Sequence, residues 1–288
     1  MSKIPNLRPS PIAGTWYPGD SRRLAASIDE YLSAASPPQI KGQIKAIIVP
    51  HAGHRYSGAV AAYAYNAIRG MRVKNVAVIS PMHQLYPGRL LTTAHEAYLT
   101  PLGSIPVNRD LIQQLDSVLR TSLDAGLTPI ARDQEHSLEI QLPFLQRVYP
   151  DGFNLVPIML RDQMPGTTRM LADALVKVMP EGSLLVASSD LSHFYSDSDA
   201  RELDAAILET IRDFSPEKLY QVEAEGRGFA CGLGAIAVVL WAARGLGADR
   251  VDILNQANSG DITGDRCYYD HRLWINRDRY RGHPSRGL

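Results

Sequence analysis

Three histidines in the 288-residue chain follow apolar runs in the same way. Ala46–Val49 (AIIV) runs into Pro50-His51-Ala52-Gly53, Val76–Ser80 (VAVIS) into Pro81-Met82-His83, and Leu184–Ser189 (LLVASS) into Asp190-Leu191-Ser192-His193. Each run reads as a short buried strand with an imidazole just past its carboxyl end. Open α/β sheets bind ligands in the crevice outside those ends, so parallel neighbours would aim the three rings at one place. The prolines hold the preceding residue extended and stop the ladder. One strand-end histidine alone would ordinarily be a satisfied loop residue, but a placement repeated three times points to a shared site. Imidazole binds metals in its neutral form, and its ordinary pKa near ~6.5 leaves it mostly neutral around pH 7. Two histidines plus one anionic ligand would leave positions for water, oxygen or substrate, as in non-haem iron and catalytic zinc sites.

The anionic candidates are Cys231, Asp190 and Glu135. Cys231 stands in Arg227-Gly228-Phe229-Ala230-Cys231-Gly232, directly before an apolar helix over Gly232–Ala243. A helix N-terminus, with Arg227 nearby, would lower the thiol pKa from ~8.5 and favour thiolate. The alternative is a small buried core thiol. Asp133-Gln134-Glu135-His136-Ser137 reads as acidic residues complementing the start of a helix, with His136 able to line the same crevice. Trp16 and Tyr17 either line a pocket or pack, and His54, His95, His271 and His283 receive no role. Gly232-Leu233-Gly234-Ala235-Ile236-Ala237 matches a GxGxxA pattern, but a dinucleotide fingerprint needs a strand immediately before it. Here a helical stretch (Ser215–Glu225) and a Gly-Arg loop precede it, so no NAD site is expected. No phosphate-binding loop of the GxxxxGK[ST] type and no HExxH motif occurs, and no nucleotide is expected.

Other β-rich runs are Asn154–Met159 and Val251–Leu254, with Cys267–Ile275 as a further edge strand. Helical patterns cover Ser21–Leu32 with a cap at Asp20 or Ser21, Ser57–Ile68, His136–Val148 with a bend at Pro143, Thr167–Met179, Ser198–Asp213 and Gly232–Ala243. Leu90–Val107, with turn residues at Pro101–Gly103, reads as a hairpin insertion. Strands alternating with helices predict an α/β fold, a mostly parallel sheet covered by helices on both faces. No composition shift marks a linker, so residues 1–276 read as one domain and 277–288, rich in Arg, Gly and Pro, as a flexible tail.

Lys+Arg and Asp+Glu are both 30, giving a formal net charge of zero and no basic excess for nucleic acid or an anionic membrane. Two cysteines exclude a disulfide framework and suit a reducing compartment. The start MSKIPNLRPSP has no apolar secretory core, and the longest apolar stretch, Ala235–Ala243, is too short for a bilayer. A cytoplasmic protein is expected.

Ala13–Tyr17 (AGTWY), Pro50–Gly53 (PHAG), Ser80–His83 (SPMH), Asp133–Pro143 (DQEHSLEIQLP), Ser188–His193 (SSDLSH) and Phe229–Gly234 (FACGLG) occur in the order and spacing of the Memo family. From about Arg8 to Ile275 the chain resembles that family, whose fold is similar to that of class III extradiol dioxygenases. Microbial members are often encoded beside a radical-SAM protein and an Amme-type protein, which the resemblance implies as partners. The resemblance implies His51, His83 and Cys231 as metal ligands, with Fe(II) the expected metal and zinc or copper compatible with the same donors. It implies Asp190 and His193 beside the metal, His193 as acid/base, and Trp16 in the vestibule. The dioxygenases use a carboxylate where this chain has Cys231, a departure that puts ring cleavage in doubt. Many members have a histidine where Gln84 stands, so Gln84 receives no role. The expected function is redox or oxygen-linked chemistry on a small molecule. The alternatives are a zinc-type hydrolase with His193 or Glu135 as base, or a non-catalytic module receiving a peptide or small ligand between Trp16 and Tyr56.

Overall fold

The computed structural model describes residues 6–123 and 125–264. A two-residue strand β1 (Leu7–Arg8) and helix α1 (Ser21–Ala34) are followed by β2 (Ala46–Val49), α2 (His54–Ala67) and β3 (Asn75–Pro81). Next come β4 (Leu90–Thr93), β5 (Ala97–Thr100), β6 (Gly103–Pro106), α3 (Arg109–Leu123) and β7 (Leu127–Ile130). A 3-10 turn at Glu139–Gln141 enters α4 (Leu142–Val148), then β8 (Asn154–Leu160), α5 (Pro165–Val178) and β9 (Leu184–Ser188). Helices α6 (Asp197–Arg212), α7 (Pro216–Ala224), α8 (Leu233–Gly245) and α9 (Ser259–Thr263) complete the described chain.

Among the described residues, six strands form one sheet in the order β2-β9-β3-β8-β4-β7, and β1-β5-β6 form a smaller one. In the larger sheet the β4–β8 pair is antiparallel and the other pairs are parallel. The α/β expectation is met. β3, β8 and β9 are buried along nearly their whole length, which is why they read as continuous apolar runs rather than alternating ones. Helices α1, α2 and α4 pack together as one group, and α3, α5 and α8 as another. Every residue of α8 from Leu233 to Ala243 is buried, so its lack of a polar face marks a core helix. No helix among the described residues is long and apolar enough to cross a membrane.

The register decides where the chemistry sits. Val49 pairs with Ser188, and Ile79 with Ala187. β2, β9 and β3 are therefore parallel neighbours that end level, and the segments carrying His51, His193 and His83 leave from one edge.

Several expectations need correction. Leu90–Val107 is not simply a hairpin: β5 and β6 form one, but β4 enters the main sheet between β8 and β7. Pro143 does not bend a helix; it occupies the first turn of α4, where its missing N–H costs nothing. Val251–Leu254 forms no strand, because it finds no ladder partner among the described residues. Helix α3 and strand β7 occupy stretches to which the sequence patterns assign no element, although Asn108 caps α3 (Leu111 N to Asn108 Oδ1, 3.1 Å) and apolar residues recur along its buried face. Asp20 does cap α1, accepting from Arg23 N at 2.9 Å. The edge strand expected at Cys267–Ile275, the tail at 277–288, His271 and His283 lie outside the described residues.

Candidate metal centre

His51 leaves the end of β2 almost wholly buried, at 2% exposure. Its Nδ1 faces Ser188 Oγ at 3.2 Å. That hydroxyl donates its single proton to the Ser137 carbonyl at 2.6 Å and accepts from Gln141 Nε2 at 2.8 Å. Gln141 is itself fixed, donating to Pro50 O at 2.9 Å and accepting from Tyr65 OH at 2.7 Å. Ser188 has no second proton to give, so His51 Nδ1 must be the donor and Nε2 carries the lone pair. Burial lowers the His51 pKa to about 4, against the raising influence of Asp190, which keeps the ring neutral.

His83 leaves the end of β3 and keeps 37% side-chain exposure. Its backbone N–H donates to Glu135 Oε2 at 2.6 Å and its Nδ1 to Glu135 Oε1 at 2.9 Å. Glu135 also accepts from the backbone N–H groups of His136 and Ser137, each at 3.0 Å. Burial would raise the Glu135 pKa, but the hydrogen bond and charge of His83, with these other donors, hold it far below the usual carboxylate range. An ionised carboxylate only accepts, so His83 also presents Nε2 as its lone pair. For His83, burial opposes protonation and Glu135 outweighs it, raising the pKa. A carboxylate behind the far nitrogen is the usual way a ligating histidine is oriented.

Cys231 Sγ stands 3.0 Å from His51 Nε2. Its backbone N–H donates to Asp190 O at 3.2 Å, and Gly232 N to Ser189 Oγ at 3.0 Å, so the loop before α8 is stitched to the end of β9. The expected lowering of the thiol pKa does not occur. Burial first, and Asp190 second, push it up, while Arg227 is drawn to Glu225, its Nε donating at 2.7 Å. Without metal the group is a thiol facing the His51 lone pair.

Asp190 Oδ1 accepts from His51 N at 2.6 Å and Ala52 N at 3.2 Å. Oδ2 lies 3.9 Å from His51 Nε2 and 3.8 Å from His193 Nε2. His193, next to the exposed Phe194, has Phe229 edge-on to its ring with centroids 6.2 Å apart. Trp16, His136 and His83 form a continuous stack, with centroid distances of 4.0 and 4.7 Å. Burial lowers the His136 pKa to about 3 despite Glu135. The structure thus brings His51, His83, Cys231, Asp190, His193, His136 and Trp16 together. Tyr56 lines a cavity of about 640 Å³ beside β2 that reaches Ser189 and Asp190, with His51, His83 and Cys231 not among its lining residues.

The acidic cluster is not helix-start chemistry. Asp133 and Glu139 pair with buried Arg8, each at 2.5 Å, and Glu135 serves His83. Its Oε1 accepts from three donors and its Oε2 from the His83 N–H, so its observed role is to hold His83. Sequence reading left unrecognised that Glu135 and Ser188 hold the two rings; no local signal carries that, because each partner is distant in the chain.

One ligand atom each from His51, His83 and Cys231 lie within 4.8 Å of one another. One ion at ~2.0–2.3 Å from each donor needs them about 3–4 Å apart. His51 Nε2 and Cys231 Sγ already stand 3.0 Å apart, and two neutral imidazoles with one thiol are donors such an ion takes, so the donor set fits. His83, Glu135 and His136 form a second close group, but Glu135's hydrogen bonds make it support for the first.

Residues 8–268 match the family model described as Memo-like protein. A MEMO1 family protein of Nitrosopumilus maritimus is 33% identical over 264 residues, covering 90% of this chain and 95% of the relative. MEMO1 family proteins of Thermoplasma acidophilum and Thermoplasma volcanium are 34% and 31% identical, covering 92% and 94% of the relatives.

Proposed function

Since the chain belongs to the Memo family, we propose that it is a metalloprotein with a single non-haem ion on His51, His83 and Cys231, with Fe(II) the working metal. The observation that carries this reading is the pairing of both Nδ1 positions, one with Ser188 and one with Glu135. It leaves two Nε2 lone pairs to meet the Cys231 sulfur. Such a network is ready for a cation before one arrives. Metal entry releases the thiol proton, so the raised thiol pKa makes binding depend on pH.

Iron held there would supply a redox-active centre with open positions for oxygen or a small organic substrate. The chain's own groups define the rest. His193 moves a proton to or from the substrate, with Asp190 Oδ2 at 3.8 Å steadying its charge. The Trp16–His136 stack forms an aromatic wall for the substrate, and Tyr56 lines the neighbouring cavity.

The test is anaerobic purification followed by metal analysis. Stoichiometric iron that oxidises in air supports the redox reading. Stoichiometric zinc moves the assignment to hydrolysis with His193 as base. No binding of any metal on reconstitution overturns the centre and leaves a ligand-binding module.

A further inference from the structure

Gln163 lies in the loop between β8 and α5, yet its side chain belongs to the start of α8. Its Nε2 donates to the Cys231 carbonyl at 2.9 Å, and its Oε1 accepts from Gly234 N at 2.8 Å. Helix α8 opens after Gly232 and has no side-chain cap from its own N-cap residue. An orphan donor in a first turn needs a partner from elsewhere, and Gln163 supplies it. From the other side the same segment is tied to the end of β9 through Asp190 O and Ser189 Oγ.

The clamp leaves no spare room. A Cβ on Gly234 would come within 2.8 Å of Gln163 Cβ, and one on Gly232 within 2.6 Å of Ser188 O. Both glycines of the GxGxxA pattern are thus required by close packing rather than by a nucleotide. The peptide bearing Cys231 is held between β9 and Gln163, and the sulfur faces His51 as a result.

We infer that Gln163 is a positioning residue for the metal centre: its amide fixes the Cys231 peptide and so the reach of the sulfur toward His51 and His83. The inference rests on Cys231 being a ligand. Two substitutions separate the contacts. Gln163→Glu keeps an acceptor for Gly234 N and removes the donor to Cys231 O. Gln163→Met removes both at similar volume, and if it fails to fold, Gln163→Glu still decides.

The experiment is a cobalt(II) titration of the metal-free full chain, reading affinity and the sulfur-to-cobalt charge-transfer absorption. Thermal unfolding of the metal-free proteins is followed in parallel. Both variants should bind cobalt about 10–100-fold more weakly, the range lost with other supporting partners, with a displaced or weakened band per cobalt bound. Wild-type affinity and band in both variants would overturn the inference. So would weaker binding that tracks lost folded protein while the band keeps its form. Cys231→Ser separates the inference from its premise. If the wild-type band survives Cys231→Ser, the ligand assignment fails and the inference with it. If the band vanishes in Cys231→Ser while the Gln163 variants behave as wild type, only the inference fails.

Discussion

Cys231 Sγ lies 3.0 Å from His51 Nε2 although 180 positions separate them in the chain. Burial keeps the sulfur protonated, and a buried imidazole lone pair is its partner. Replacing the sulfur with a hydroxyl preserves a hydrogen-bonding group but not an anionic donor. Cys231→Ser should keep the fold and lose metal affinity by more than the ~10–100-fold typical of a missing supporting partner. Metal content by mass spectrometry, with circular dichroism as the control for folding, checks this. Full occupancy in the variant would remove Cys231 from the ligand set and leave Asp190 as the next candidate.

Glu135 binds His83 twice, through backbone N–H and Nδ1. Glu135→Gln offers one acceptor oxygen in place of two and a neutral group in place of a charge. It should release His83 to rotate and lower metal affinity about 10–100-fold, with the His83 pKa falling as its raising partner is lost. NMR titration of the histidine rings reads the second effect directly. An unchanged His83 pKa would contradict the assignment.

Much of this arrangement could be read from residue order, and the unread part has physical causes. Strand-end histidines were legible because β2, β3 and β9 are apolar runs closed by recognisable breaks, and parallel pairing then levels their ends. Partners such as Glu135 for His83 are invisible in sequence, since only the fold brings them together. For Cys231 the helix-terminus argument for a thiolate competes with burial, and burial is the larger influence here, favouring the protonated thiol of the two readings. Val251–Leu254 has strand-like residues but no partner strand among the described residues, and propensity alone makes no ladder.

Stability of the metal-free protein should fall in mild acid. Burial holds His51 and His54 down to about 4 and His136 to about 3, whereas unfolded histidines titrate near ~6.5. Between these values the unfolded chain binds more protons, so stability is full above about pH 6.5 and is lost as pH falls toward 4. Each histidine contributes on the order of a few kcal/mol over that range. His54, which donates to Ile140 O at 3.1 Å, is not among the proposed ligands, so His54→Gln should flatten part of the slope. Urea unfolding at pH 7, 6 and 5 measures it, and identical slopes in both proteins would refute the assignment.

Arg8 is 2% exposed and joins Asp133 and Glu139, each at 2.5 Å, while donating to the Glu135 carbonyl at 3.0 Å. Arg8→Met would strand two buried carboxyl groups, a loss of about 3–5 kcal/mol. It should also loosen the loop that presents Glu135 to His83, weakening metal binding in whatever protein stays folded. Chemical denaturation and metal titration read the two effects separately; a change below about 1 kcal/mol would mean that the carboxyl groups find other partners.

Gly232 offers the sharpest contrast between a packing defect and a damaged site. A Cβ there would meet the Ser188 carbonyl at 2.6 Å, and that backbone cannot retreat without moving the hydroxyl that holds His51. Gly58 in α2 is equally tight, but the atoms nearest its added Cβ all belong to the Tyr31 ring, the closest at 2.6 Å. Overpacking costs typically 1–3 kcal/mol, so Gly232→Ala and Gly58→Ala should both lower stability by about that amount. Only Gly232→Ala should also lose metal affinity, because it alone shifts Cys231 away from His51. Thermal unfolding matched with cobalt titration of the two variants decides the point: equal affinities would mean that the sulfur tolerates displacement of its own loop.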